Sequence, residues 1–187
     1  MANEGLQALN EKEYAAEVVP VLAPGVEMVV HRRKGDKRFN PSLLLVRFAP
    51  VGGPEWFGAF ARGGFGIGVE GLFAAGARRE CYVLALGSAY AVRVDRPQDV
   101  SFIGGDPVGD VVSSLERGWV VMVSLTDIVL CQPGGTWTSP RISYSALRNS
   151  RVTGNLFEAE GWSAPHNAWL PVKIDLDRKE CICAAFP

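Results

Sequence analysis

The most constraining feature of this sequence is the pattern over residues 119–142, where short apolar blocks alternate with turn residues. In the first block, 119–125, both alternating sets of positions are apolar, as in a strand that is covered on both faces. A Thr-Asp pair and a Pro-Gly-Gly triplet separate it from further blocks at 128–132 and 136–138, as turns separate the strands of a meander. The pattern predicts an antiparallel meander with Val121 and Val123 fully buried.

The meander is echoed elsewhere in the chain. Residues 81–94 and 120–133 share the order of apolar block, small or polar pair and apolar block, and residues 154–176 continue it loosely. A repeat of about 40 residues with paired strands resembles the blades of a β-propeller. A chain of 187 residues supplies at most about four such blades, so a β-sandwich and a propeller-like meander closed by a partner remain alternatives.

The start of the chain follows a different pattern. Residues 3–17 are rich in Glu, Gln, Lys and Ala, which favours a short N-terminal helix. Two β-like runs, 18–22 and 26–30, flank an Ala-Pro-Gly turn and predict a hairpin. The sequence as a whole therefore predicts a single all-β domain over 1–187, with a helix and hairpin decoration over 1–40 and a repeated antiparallel core over 78–183.

Charge and hydropathy limit the partners. The chain has 19 Lys plus Arg and 20 Asp plus Glu, a net charge of −1, so no global field attracts it to nucleic acid or to an anionic membrane. The basic run over 31–38 is interpreted as a solvated loop tip, and we do not expect a nucleic-acid partner. Without a secretory pattern at residues 1–5 or an uninterrupted apolar stretch of membrane length, we expect a cytoplasmic, non-membrane protein. Homo-oligomerisation remains open.

Two patterns raise the question of a cofactor or a metal. Residues 66–71 match the glycine spacing of a dinucleotide-binding loop, but the glycine-broken stretch after them cannot supply the required helix. Cys81 and Cys131 stand singly in apolar runs, and Cys181 and Cys183 lack the usual spacing of a zinc knuckle. We expect free reduced thiols, no metal and no cofactor.

One segment has residues suited to carbohydrate chemistry. Glu158 and Glu160 share a strand face, and Trp162, His166 and Trp169 follow closely. Paired carboxylates beside aromatic rings are typical of glycoside hydrolases and carbohydrate-binding sites. Ordinary strand alternation explains the same glutamates as a solvent-facing row, and we favour that interpretation.

The function that these observations favour is a non-catalytic cytoplasmic binding module, with another protein as its partner. A regulatory or toxin-neutralising role fits the same composition, and carbohydrate binding or hydrolysis is the alternative. We predict that residues 161–168 form a loop, and loops on a rigid β scaffold are where binding residues collect. The expected binding residues are Arg141, Trp162, His166 and Asn167, because Trp and Arg are enriched at binding hot spots.

Overall fold

The computed structural model describes residues 8–33, 42–75, 79–104, 107–114 and 116–186, and within these ranges it is all-β, without a helix. The strands form four sheets, numbered here in chain order. This confirms the predicted all-β fold of antiparallel meanders.

Sheet 1 has five strands in the spatial order β1-β2-β4-β5-β3. All neighbours pair antiparallel except β3, which runs parallel to β5 at the edge. Along β4 one face is buried and packs on the core, and the other is half-exposed. Ala59 and Ala61 of β5 lie on that second face and are buried as well. The strands of sheet 1 are β1 (Ala8–Glu11), β2 (Tyr14–Val19), β3 (Val29–His31), β4 (Leu43–Pro50) and β5 (Trp56–Ala61).

Sheets 2, 3 and 4 are four-stranded antiparallel meanders whose strands lie side by side in chain order. Sheet 2 contains β6 (Gly71–Ala74), β7 (Glu80–Ala85), β8 (Ser88–Arg93) and β9 (Val100–Ile103). Sheet 3 contains β10 (Asp110–Ser114), β11 (Trp119–Val123), β12 (Ile128–Gln132) and β13 (Gly135–Thr138). Sheet 4 contains β14 (Leu147–Thr153), β15 (Leu156–Ser163), β16 (Ala168–Asp175) and β17 (Glu180–Cys183). The predicted echo corresponds to equivalent hairpins, β7–β8 and β11–β12.

The sheets stack face to face in chain order, with one hydrophobic core between each successive pair. The cores join sheet 1 to sheet 2, sheet 2 to sheet 3 and sheet 3 to sheet 4. Among the described residues, no core joins sheet 4 back to sheet 1. The architecture is therefore an open stack.

Sheets 2 and 3 are covered on both faces, as the continuous apolar pattern of their strands requires. On β11, Met122 packs toward sheet 2, whereas Val121 and Val123 pack toward sheet 4. Val121 is 0% exposed and Val123 is 2% exposed. The prediction that this strand is covered on both faces is confirmed, and β11 also pairs with a neighbour on each side, β10 and β12.

Two predictions about the N-terminal region are wrong. Residues 8–11 and 14–19 form the paired strands β1 and β2 instead of a helix; the rest of the predicted helix, up to residue 7, lies outside the described residues. The runs at 18–22 and 26–30 do not form a hairpin either. Both edges of β2 are occupied, by β1 and β4, so β3 pairs with β5 instead.

The predicted loop over 161–168 is also wrong in its extent. Strand β15 continues to Ser163 and β16 begins at Ala168, and Trp162 pairs directly with Trp169 across the two strands. Only residues 164–167 connect these strands.

Candidate functional site

The longer connections of the molecule gather at one end of the stack, which we call the loop end. Each of sheets 2 and 3 begins and finishes there, so all three sheet-to-sheet connections, 62–70, 104–109 and 139–146, lie at this end. Backbone hydrogen bonds join these connections to neighbouring turns, for example Val69 N to Val108 O at 2.9 Å and Ile142 N to Thr126 O at 2.8 Å. The loop end is therefore a continuous surface built from all four sheets.

A groove of about 370 Å³ opens at the loop end between sheets 2 and 3. Its apolar lining includes Phe65, which is 67% exposed, Leu125, which is 38% exposed, and the half-buried Phe102. Arg33 and Asp127 line the same groove. It thus combines exposed aromatic and aliphatic surface with one cation and one anion.

The wall that contains Phe65 is anchored at its base. The Arg62 guanidinium donates to both carboxylate oxygens of Glu70, at 2.6 and 2.9 Å. Gly68 lies against Gly87 so closely that a Cβ on Gly68 would be 2.5 Å from the Gly87 Cα. The loop that carries Phe65 is therefore fastened at residues 62, 68 and 70, and Phe65 lies on its exposed part between Gly64 and Gly66.

The opposite wall is the β11–β12 turn. Ser124 Oγ donates to Asp127 Oδ1 at 2.9 Å, and Thr126 Oγ1 donates to Asp127 Oδ2 at 3.0 Å. Within a turn, such side-chain hydrogen bonds take the place of the backbone hydrogen bonds that pair two strands. They orient the Asp127 carboxylate and leave the intervening Leu125 at the surface.

Arg33 reaches the groove from the segment after β3. Its guanidinium lies 5.2 Å from the centre of the Phe102 ring, which is within the range of a cation–π interaction. Arg33 belongs to the basic run predicted as a loop tip; residues 34–38 of that run lie outside the described residues.

Arg141, a predicted binding residue, is exposed at the loop end but already has several partners. Its guanidinium donates to the Ser143 carbonyl at 3.0 Å and to the Tyr144 carbonyl at 2.5 Å. It also lies 4.8 Å from the centre of the Phe186 ring. Arg141 thus fastens the 139–146 connection to the end of the chain.

His166 and Asn167 are exposed in the turn that joins β15 to β16. Nδ1 of His166 is 2.8 Å from Ser163 Oγ, and Asn167 has a positive φ of 47°, which Asn tolerates better than most residues. These two residues and Arg141 all lie at the loop end.

Trp162 lies on the outer face of sheet 4, the face that points away from sheet 3. Its ring meets Trp169 edge to face at 5.6 Å, and the Arg148 guanidinium lies 4.1 Å from the centre of the Trp169 ring. Only the backbone of Trp162 joins the Arg141 segment, through its carbonyl and Tyr144 N at 3.0 Å. The predicted site residues therefore divide between the loop end and this outer face.

Glu158 and Glu160 lie on the same outer face of sheet 4, where each is held by cations. Lys173 and Arg151 hydrogen-bond Glu158 and lower its pKa below the ordinary value. Arg148 and Asn149 lower the pKa of Glu160 in the same way. A glycosidase needs one carboxylic acid with a raised pKa, so these environments do not favour an acid–base pair.

The cysteines are free, and Cys81 and Cys131 are buried. Among the described residues, no group of three or more His, Cys, Asp or Glu side chains could hold a metal ion. The glycines at 66–71 belong to the loop before β6 and to its first residue, and the described residues that follow them form strands instead of a helix.

The sequence analysis missed the groove residues Phe65, Phe102, Leu125 and Arg33. A signal was present for Phe65, because it stands between glycines that have no side chains to cover it. The convergence of these residues depends on the order in which the sheets stack, and no local pattern encodes that order.

Comparisons with protein-family models, curated proteins and solved structures found no match. The described residues include no helix of the length and apolarity needed to cross a bilayer.

Proposed function

We propose that the protein is a non-catalytic cytoplasmic binding module that recognises another protein at the loop end. The observation that carries this proposal is the groove between sheets 2 and 3, where Phe65 and Leu125 are exposed on a loop fastened at its base and on a hydrogen-bonded turn. Exposed apolar side chains on fixed backbones favour binding, since little conformational freedom is lost when a partner docks.

The composition of the groove indicates what a partner would place in it. An apolar side chain of the partner would be desolvated between Phe65, Phe102 and Leu125, as in the centre of an interface. Arg33 and Asp127 offer one positive and one negative group, which would fix the register of a polar segment on either side.

The hydrogen bonding of the serine hydroxyl in the groove also fits a binding role. The hydroxyl of Ser124, which lines the groove, donates a hydrogen bond to the Asp127 carboxylate. A nucleophilic serine would instead need a base such as histidine in hydrogen-bond reach. A regulatory or toxin-neutralising partner is consistent with a module of this kind.

The first experiment places a photo-crosslinking phenylalanine analogue at position 65 in the source cell. The matched control carries the analogue at position 51, because Val51 is 60% exposed but lies at the opposite end of the stack. We expect a partner protein to crosslink from position 65 and not from position 51, and mass spectrometry of the crosslinked band identifies it.

The second experiment measures the Kd of that partner by titration. Phe65→Ala and Leu125→Ala should each weaken binding by about 10-fold to 30-fold, since truncating a hot spot costs about 2 kcal/mol, whereas Val51→Ala should leave Kd unchanged. Arg141→Ala and His166→Ala test whether the interface extends along the loop end toward sheet 4. Equal crosslinking from positions 65 and 51, or an unchanged Kd for both groove variants, would refute the proposal.

A further inference from the structure

A second cavity lies along one side of the stack, between β9 of sheet 2 and β13 of sheet 3. Its volume is about 310 Å³, and we call it the side cleft. Phe102 and Gly104 line both the side cleft and the loop-end groove. The two cavities therefore meet at the end of β9, and together they run from the loop end to the turn between β12 and β13.

The side cleft has short side chains on both walls. Ala91 and Ser101 line it from sheet 2, and Thr136 and Thr138 line it from sheet 3. Val129, which is 1% exposed, lies at its base. Because Thr136 and Thr138 are short and exposed, solvent reaches the backbone along the edge of β13.

Strand β13 is the last strand of sheet 3, so within the described structure one side of its backbone has no strand beside it. Ser139 N donates to Ile128 O at 2.9 Å, and these two residues flank the Thr138–Val129 pair. That pair is therefore a non-hydrogen-bonded one, and so is the pair at Thr136, because the two kinds of pair alternate along an antiparallel ladder. The N–H and C=O groups of Thr136 and Thr138 consequently point away from β12. Among the described residues, no other backbone group bonds to them.

The other sheet edges of the described structure are covered, short or irregular. Strand β6 lies beside β1, and β10 lies beside β14. Strand β3 has only three residues. Strands β14 and β17 each contain a register shift, and β14 carries Arg148 and Arg151. Such features keep another chain from pairing with an edge. Strands β9 and β13 have neither charged residues nor register shifts, and both border the side cleft.

Of these two edges, β13 is the more open. The Arg33 guanidinium already lies against the Phe102 ring of β9, 5.2 Å from its centre. On β13, Thr136 and Thr138 are exposed and Trp137 is half-buried. A ligand that matches this edge must offer hydrogen-bond donors and acceptors at every second residue of the strand, about 6.8 Å apart. An extended polypeptide has this spacing, and such segments add to exposed sheet edges as new strands.

We propose that the partner protein binds through an extended segment that pairs with β13, becomes a fifth strand of sheet 3 and continues into the loop-end groove. This inference rests on the proposed recognition of another protein and names the form in which that protein is recognised. Every second side chain of the segment enters the side cleft, whose walls favour short side chains such as Ser, Thr or Val. Backbone hydrogen bonds supply the affinity in this mode of binding, and the cleft supplies the specificity.

The test uses a phage-displayed library of random linear peptides, selected on the purified full chain. Fluorescence anisotropy then measures the Kd of the selected peptides with the wild-type chain and with Thr138→Pro. This substitution removes an N–H that points away from β12, and edge strands tolerate proline at such positions. We expect Thr138→Pro to raise the Kd about tenfold or more, because a backbone hydrogen bond to the peptide is lost.

The matched control is Val100→Pro on β9. Arg93 N donates to Asp99 O at 3.1 Å, and these residues flank the Val92–Val100 pair in the same way. The N–H of Val100 therefore points away from β8, so this variant loses the same kind of donor at the other edge of the cleft. Val100 lines neither cavity, and its replacement should leave the Kd unchanged.

Amide exchange of the isotope-labelled wild-type chain, followed by NMR, locates the pairing without a variant. In the free chain, the N–H groups of Thr136 and Thr138 should exchange rapidly. A bound peptide should slow the exchange of both, because they then donate to its carbonyl groups, and should leave that of Val100 rapid. Circular dichroism shows first whether each proline variant is folded. If Thr138→Pro is not, the exchange measurement decides the question.

Phe65→Ala separates this inference from the proposed function, and we expect both Phe65→Ala and Thr138→Pro to weaken binding. Peptides weakened by Thr138→Pro alone support pairing with β13 and count against the loop-end groove. Peptides weakened by Phe65→Ala alone support the groove and overturn the pairing. The proposal is also overturned if no peptide is selected, if Val100 is protected in place of Thr136 and Thr138, or if the wild-type chain forms a dimer that Thr138→Pro abolishes, since a second copy would then occupy the edge.

Discussion

The four cysteines occupy two chemically different environments. Burial raises the pKa of Cys81, and burial raises that of Cys131 to about 12, so both remain protonated thiols without solvent access. Cys181 is exposed on the last strand. Partial burial and the neighbouring Cys183 raise the pKa of Cys181 as well, but its sulfur is accessible to solvent. We predict that iodoacetamide at pH 8 modifies Cys181 slowly in the native protein, whereas Cys81 and Cys131 react only after unfolding, because the reagent must reach a thiolate.

Peptide mapping of samples labelled with and without urea measures this pattern. Cys181→Ser should remove the main native modification, and Cys183→Ser, which changes a half-buried neighbour, should remove little of it. Native labelling of Cys131 at the rate of Cys181 would contradict the burial described for the core between sheets 2 and 3.

At the same scale, sequence patterns identify buried strand positions better than the ends of strands. The double-sided apolar pattern correctly predicts that Val121 and Val123 are buried, since a covered strand must be apolar at successive positions. The Gly, Ser, Pro, His and Asn content of residues 161–168 predicts a loop that includes Trp162. Gly161 instead lies within β15, where a Cβ would come 2.8 Å from the Ala185 Cβ. That glycine marks a close approach between segments and not a turn, and the sequence alone does not distinguish the two uses.

At the scale of the element, sheet 4 makes a prediction about pH. The pKa of Glu158 is lowered in the folded protein below its ordinary value of 4.5, through Lys173 and Arg151. A lowered folded-state pKa stabilises the protein above about pH 4.5, and that stabilisation is lost as the pH falls through the folded-state value. The melting temperature of the wild type should therefore exceed that of Glu158→Gln at pH 7, and the difference should shrink below pH 4.5.

Thermal melts of the two proteins from pH 7 to pH 3 measure that difference. Added salt should reduce it at pH 7, because exposed ion pairs are screened. A difference that grew on acidification would contradict the ion-paired geometry of Glu158.

At the scale of the element, the helix propensity of a segment also competes with its pairing in a sheet. Residues 8–19 have a helix-favouring composition, yet β2 pairs with β4, and Tyr14 and Ala16 pack into the core between sheets 1 and 2. Tertiary packing of this kind routinely overrides helix propensity. The hairpins β7–β8 and β11–β12 were predictable because their turns and apolar blocks are local in sequence, whereas the parallel pairing of β3 with β5 is not.

For the whole molecule, the open stack predicts an uneven distribution of stability. Among the described residues, hydrophobic core clusters lie on both faces of sheets 2 and 3 and on one face each of sheets 1 and 4. We expect the slowest amide exchange in β7, β8, β11 and β12, because strands covered on both sides open only with global unfolding. Hydrogen-exchange mass spectrometry resolves this order, and equal protection of β15 and β11 would argue against it.

The number of repeated units was predictable from chain length and the internal echo, but their mutual arrangement was not. The continuous apolar runs of β7 and β11 indicate that both faces of these strands are covered. They carry no information about which sheet covers each face. The prediction therefore left sandwich and propeller-like alternatives open. The stacking order is fixed by which side chains fit between sheets, for example the Trp56 Nε1 to Val94 carbonyl hydrogen bond at 2.7 Å.

Sheets 2 and 3 each contain an even number of strands, so the chain leaves each of them on the side where it entered. A segment such as 71–103 or 110–138 is consequently a self-contained cassette whose two ends lie on the same side of the molecule. If one cassette is duplicated or deleted, the chain still enters and leaves each neighbouring sheet at the same end. Each cassette contacts only the sheets beside it. The path of the chain therefore allows the molecule to be lengthened or shortened by whole sheets, with joints in the 62–70, 104–109 and 139–146 connections, where the newly adjacent faces pack together.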